Sequence, residues 1–186
     1  MNKLKLNYQI NLCVSKDTLR PAMNYIKVTK KHIFATDSHI LVHIPTNYIF
    51  DDESINSENW ADFHIEPNQY KLLLNSTAKM SINFESKIIT TVKSTGVFNA
   101  SILPSDTLNF PNCKQVIDLS EKSLTEKNVL DIDLDYLTKA NKALDIKKNK
   151  GVKIQIKSHN RYYIFSKEFS QLSYDIPFTL VMGMVS

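Results

Sequence analysis

With 186 residues, 42% of them hydrophobic and 23% charged, the chain is long enough to bury one domain, or one and a half small ones. No apolar run approaches the roughly 20 residues needed to span a bilayer, so membrane partners are not expected. Its two cysteines, Cys13 and Cys113, are far apart and lack CxxC spacing, which fits a reduced, cytoplasmic protein.

Met1–Asn7 separates its apolar residues with polar ones and reads as a strand, not a signal peptide. The period-2 series Leu4, Leu6, Tyr8, Ile10 and Leu12 extends that strand, and short strands follow at Tyr25–Val28, His32–Ala35 and Ile40–Ile44. Residues 51–62 read as a polar, acidic loop. Glu66-Pro67 then opens a helix over Asn68–Asn75, because proline at the first helical position gives up an N–H that has no partner there. Tyr70, Leu73 and Leu74 form its buried side. Three strands are expected at 79–84, 87–94 and 96–103.

The plan then recurs. A polar stretch, Ser120–Asn128, leads to a strand at Val129–Ile132 and a helix over Leu134–Ile146 with Asp133 as N-cap. Leu134, Leu137, Asn141 and Leu144 fall on one face of that helix, and Lys139 and Lys142 on another. Strands at Val152–Lys157, Arg161–Phe165 and Phe178–Met182 complete the chain. Residues 63–103 and 129–183 thus share one order of elements, and residues 1–45 show the strands without the helix.

Net charge is +4, unevenly spread. Residues 139–167 hold eight lysines and Arg161 against Asp145 alone, whereas residues 51–66 carry six carboxylates and no lysine or arginine. A basic C-terminal third suits phosphates, although a solvated lysine surface reads equally well.

Four segments resemble the bacterial DNA polymerase sliding clamp family, the polymerase III beta subunit. Ala35-Thr36-Asp37-Ser38-His39-Ile40-Leu41-Val42 is similar to the family's ATDGHRLAV segment, and Arg20–Ile26 to its R-x-x-L-N-G segment. Phe110-Pro111-Asn112 resembles its F-P-D-Y, and Leu180-Val181-Met182-Gly183-Met184 its terminal VVMPM. The order agrees over residues 18–118, the extent of a middle clamp domain, and over 129–186, half of a third. Ser38 stands where the family has glycine, Ile40 where it has arginine, and Gly183 where it has proline.

The resemblance implies an α+β DNA-clamp fold: antiparallel sheets with short helices packed on one face, in about three strand–helix–strand half-units. It implies a clamp-like domain at 1–118, its first half lacking the helix, and a clamp-like half-domain at 119–186. It also implies a pocket for a short Leu/Phe peptide carried by DNA polymerase or other clamp-binding proteins. Carried over by motif, the wall is Thr36, Ser38, His39, Ile40, Leu41, Pro111, Val116, Leu180, Val181, Met182, Gly183 and Met184. Leucine and phenylalanine anchors need such an apolar cup, and methionines adapt to varied sequences. The same residues, taken singly, also read as strand core.

Clamp helices face DNA, which makes Lys71, Lys139, Lys142, Lys147, Lys148 and Lys150 the candidates for non-specific duplex contact. A homo-oligomer would follow if copies close a ring. An adaptor or decoy keeping only the pocket, and an unrelated small interaction domain, are the alternatives. Asp37, His39 and His43, or Asp131, Asp133 and Asp135, lack a closed ligand set, so no metal or cofactor is expected. No nucleotide-binding or hydrolase motif is present, and catalysis is not expected.

Overall fold

The computed structural model describes residues 6–117, 119, 132–146, 151–158 and 161–182. Its strands are β1 (Ile26–Val28), β2 (His32–Thr36), β3 (Ile40–Pro45), β4 (Phe63–Ile65), β5 (Ser81–Asn83), β6 (Ile88–Lys93), β7 (Gly96–Ser101), β8 (Leu103–Pro104), β9 (Val152–Ser158), β10 (Arg161–Ser166) and β11 (Phe178–Met182). The helices are α1 (Asp52–Asn56), α2 (Pro67–Leu73), α3 (Cys113–Val116) and α4 (Leu134–Ala143).

Eight strands form one antiparallel sheet in the order β8-β4-β1-β2-β3-β11-β10-β9, and β5-β6-β7 form a second. The pairing of β3 with β11 places strands from both sides of residue 118 in one sheet.

Strand alternation gives the large sheet two different faces. Ile26, Val28, Ile33, Ala35, Val42, Ile44, Ile164 and Val181 point to one side, where α2 and α4 cover them. Phe34, Leu41, Tyr163, Phe165, Phe178 and Leu180 point to the other, where the single turn α3 and the 168–176 segment lie. Each longer helix begins on a carboxylate cap: Gln69 N–H donates to Glu66 Oε2 at 3.1 Å, and Asp135 N–H to Asp133 Oδ1 at 2.7 Å.

Several expectations are corrected. The N-terminal alternation does not make a strand. Leu6 forms an isolated bridge with Ser76, and Ile10–Cys13 winds into one 3₁₀ turn. Ile10 and Cys13, three apart, are both fully buried, so a period of three lies hidden within an apparent period of two. This turn sits between α2 and α4, with Gln9 N–H donating to Lys142 O at 3.2 Å and Tyr70 Oη–H to Tyr8 O at 2.9 Å.

Residues 51–62 are not all loop, because Asp51 caps α1 by accepting from Ser54 N–H at 2.8 Å. On α4 the buried face is Ala140, Ala143 and Leu144, whereas Leu134 is 76% exposed and Asn141 also faces solvent. Small alanines let the helix approach the sheet closely. Leu4, the polar stretch 120–128 and most of the expected strand at 129–132 lie outside the described residues.

Candidate functional site

The site is on the sheet face away from α2 and α4. Leu41 on β3 and Leu180 on β11 are direct cross-strand partners, and with Met182 they form the floor of a pocket of about 270 Å³. One wall is the β2–β3 turn, through Thr36 and Ser38; Ile40, a member of the helix-side core, borders it at the start of β3. The opposite wall is Pro111 with Cys113 and Val116 of α3. Arg161 holds α3 over the sheet, its guanidinium donating to Val116 O at 3.3 Å.

Eight of the twelve expected wall residues meet here. Val181 does not, because it follows Leu180 by one position and points into the helix-side core. His39 is exposed and turned toward α4, its ring 5.9 Å from that of Tyr136. Gly183 and Met184 lie outside the described residues.

Three lining residues were missing from the expected wall: Arg20, Met23 and Cys113. The first two belong to the Arg20–Ile26 segment quoted for the resemblance, and a 3₁₀ turn at Pro21–Asn24 carries them to the rim. Arg20, Met23 and Pro111 also line an adjoining hollow of about 410 Å³ with Leu19 and Leu108, so the pocket opens into a longer groove. Burial pushes the Cys113 thiol up to about 12, so it stays protonated and serves as apolar wall.

The β2–β3 turn is heavily tied. Ser38 has φ +79°, in the left-handed region that favours glycine, the residue found there in the resembling family. Asp37 Oδ1 accepts from the N–H groups of His39 (3.0 Å) and Ile40 (2.9 Å), and Met182 N–H donates to His39 O at 2.8 Å. Arg20 Nη1 donates to Ser38 Oγ at 2.6 Å. The other Asp37 oxygen, Oδ2, lies 3.2 Å from Lys139 Nζ on α4. Burial alone would lower the Lys139 pKa, but the Asp37 hydrogen bond and charge outweigh it and hold the ammonium above its ordinary value.

That ion pair changes the picture of the lysines. Lys71 on α2 and Lys142 on α4 are exposed on the helix side, but Lys139 is bound to Asp37 and lies over the Tyr136 ring at 4.8 Å. Lys147, Lys148 and Lys150 lie outside the described residues. Lys153 is also engaged, donating to the carbonyls of Phe169 (2.8 Å) and Ser170 (3.1 Å), and Lys157 is 9% exposed. Among the described residues, Lys139, Lys153 and Lys157 are thus engaged or buried rather than free surface charge.

Among the described residues, no group of three or more His, Cys, Asp or Glu side chains is placed to hold a metal ion. His43 instead pairs with His32, Nε2 to Nδ1 at 3.0 Å, and stacks on Phe178 with ring centroids 4.6 Å apart. No helix among the described residues is long and apolar enough to cross a membrane.

The architecture is that of solved bacterial sliding clamps. The DNA polymerase sliding clamp of Bacillus subtilis superposes with a TM-score of 0.61 at 12% identity, over 96% of this chain and 61% of that one. The DNA polymerase III beta subunit of Borrelia burgdorferi gives 0.60 at 12% identity, over 98% and 64%. The Helicobacter pylori beta clamp, solved bound to a DNA ligase peptide, gives 0.58 at 11% identity, over 98% and 65%. This chain thus spans less than two thirds of the length of each. No protein-family model matches the sequence, and no curated protein does. At such identities the likeness establishes the α+β sliding-clamp fold.

Proposed function

We propose that this clamp-fold chain is a non-catalytic docking protein of DNA replication or repair, which takes a short Leu/Phe-containing peptide from DNA polymerase or another clamp-binding partner. One observation carries this reading: three segments distant in sequence converge on one apolar pocket, floored by Leu41, Leu180 and Met182 and walled by Pro111 and Val116. A desolvated cup of this size suits one or two anchor side chains, which supply most of the energy of such contacts. The peptide complex of the Helicobacter pylori clamp adds support by analogy of fold.

The helix side, with Lys71 and Lys142 exposed, is the proposed face for duplex DNA, met through phosphates without reading sequence. Residues 1–118 and 119–186 would act as one and a half clamp domains. The strands β8 and β9 end the large sheet with unpaired edges among the described residues, where copies of the chain could join into a homo-oligomer. The two free cysteines suit a cytoplasmic setting.

A second reading is a non-encircling adaptor or decoy that keeps only the pocket. The Asp37–Lys139 pair favours it, because it withdraws one of the helix cations from DNA.

Fluorescence polarisation with a labelled Leu/Phe clamp-binding peptide tests the common claim. Saturable binding that Met182→Asp abolishes supports it, whereas no binding, or binding indifferent to Met182→Asp, removes it. Light scattering with and without circular DNA then separates the readings, since a monomer that never associates with DNA leaves only the adaptor.

A further inference from the structure

We infer that Lys139 and Asp37 form a clasp through which the helix layer positions the docking pocket, so that whatever engages α4 alters the pocket across the sheet. The inference rests on the peptide-docking reading of that pocket. The β2–β3 turn alternates its side chains between two destinations. Thr36 and Ser38 line the pocket, while Asp37 and His39 reach α4.

Asp37 divides its carboxylate between these tasks. Oδ1 closes the turn by accepting from His39 and Ile40 N–H, and Oδ2 holds the Lys139 ammonium at 3.2 Å. Its side chain is 14% exposed and that of Lys139 36%, so the pair is partly withdrawn from solvent screening. Tyr136 adds a second strut: its ring lies under Lys139 Nζ at 4.8 Å and 5.9 Å from the His39 ring. On the far side the turn is held by Arg20 to Ser38 Oγ and by Met182 N–H to His39 O, both from pocket residues. The turn is thus one rigid piece fixed at both ends. No other ion pair among the described residues joins α4 to the sheet.

Lys139 is therefore a positioning residue rather than a standing phosphate contact. A polyanion lying along α4 beside Lys142 competes with Asp37 for the Lys139 ammonium and loosens the turn. By linkage, a peptide that tightens the turn weakens the polyanion by the same factor.

Amide hydrogen exchange of His39 and Ile40 reads the clasp directly. Lys139→Met is expected to speed their exchange about two- to fivefold, the range for a partly exposed ion pair, and Lys139→Arg to restore it. A short DNA duplex at low ionic strength is expected to speed the same amides in the unmodified protein but not in Lys139→Met. Exchange that Lys139→Met leaves unchanged overturns the clasp. Amides that the duplex leaves unchanged overturn the coupling, whether or not the DNA binds. Peptide polarisation on the same samples keeps the two ideas apart: the exchange pattern without peptide binding retains the clasp and removes the docking reading.

Discussion

Leu41 and Leu180 face each other directly across the β3–β11 pair, and both side chains lie on the pocket floor at 6% and 1% exposure. The contact that builds the pocket is therefore also the contact that joins β3 to the C-terminal strands β11, β10 and β9. Met182, two residues beyond Leu180 on the same face, is less buried.

Stability and docking should separate along this strand. Leu180→Ala is expected to cost about 2–5 kcal/mol, as for a fully buried leucine, read as a lower denaturation midpoint in urea. Met182→Ala should leave the midpoint nearly unchanged yet weaken peptide binding about tenfold, equivalent to roughly 1.4 kcal/mol. Equal effects of both on stability would show that the pocket floor is only core.

Buried His43, paired with half-buried His32, makes the fold sensitive to acid. Desolvation, then the neighbouring His32, pushes His43 down to about 3, so it is neutral in the folded chain and titrates near 6.5 in the unfolded one. Its contribution is whole above about pH 6.5 and is lost as pH falls from there toward 3, at up to about 1.4 kcal/mol per pH unit. Urea melts from pH 7 to 4.5 should show this slope, and His43→Phe should flatten it.

The left-handed Ser38 offers a local test. Ser38→Gly removes the steric cost of φ +79° and is expected to leave stability equal or raise it by up to about 1 kcal/mol, despite losing the exposed contact with Arg20. Ser38→Val should lower it by about 1–2 kcal/mol, because a β-branched side chain tolerates this region poorly. Thermal melts of the two variants against the parent decide.

Duplex binding, if it uses the helix side, should depend on Lys142 more than on Lys139. Replacing Lys142 by Gln is expected to reduce the salt slope of log K by about 0.9, the amount for one released phosphate contact. Lys139→Gln should change the slope less, because its charge already rests on Asp37. A polarisation titration over several salt concentrations distinguishes them.

The helix N-caps could be checked in the same melts. Asp133→Ala should cost about 0.5–2 kcal/mol by leaving the Asp135 N–H without its acceptor.

Much of this architecture was legible because strand composition and caps are local signals. The positions of β2, β3, β6, β10 and β11 follow from short runs rich in β-branched, aromatic and other apolar residues, and those of α2 and α4 from Pro67 and Asp133. The resemblance added which distant segments wall one pocket, something no local pattern contains. The failures have physical causes. The Ile10–Cys13 turn was hidden because Ile10 belongs to the alternating series, whereas its buried partner Cys13, three residues on, lies outside that series. Val181 and His39 were drawn into the wall by adjacency to true lining residues, although side chains one apart on a strand face opposite ways. Lys139 read as a surface cation because its partner, Asp37, is distant in sequence and only the fold brings them together.

Closing the sheet with β11 also sets a time at which the protein becomes competent. The proposed docking floor needs Leu180 and Met182 seated beside β3, a strand far earlier in the chain. Long-range pairings of this kind form late, after the entropy of closing a large loop has been met. A chain cut or still growing before Leu180 would lack the pocket floor, so on the proposed function peptide binding would report that β11 has joined the sheet.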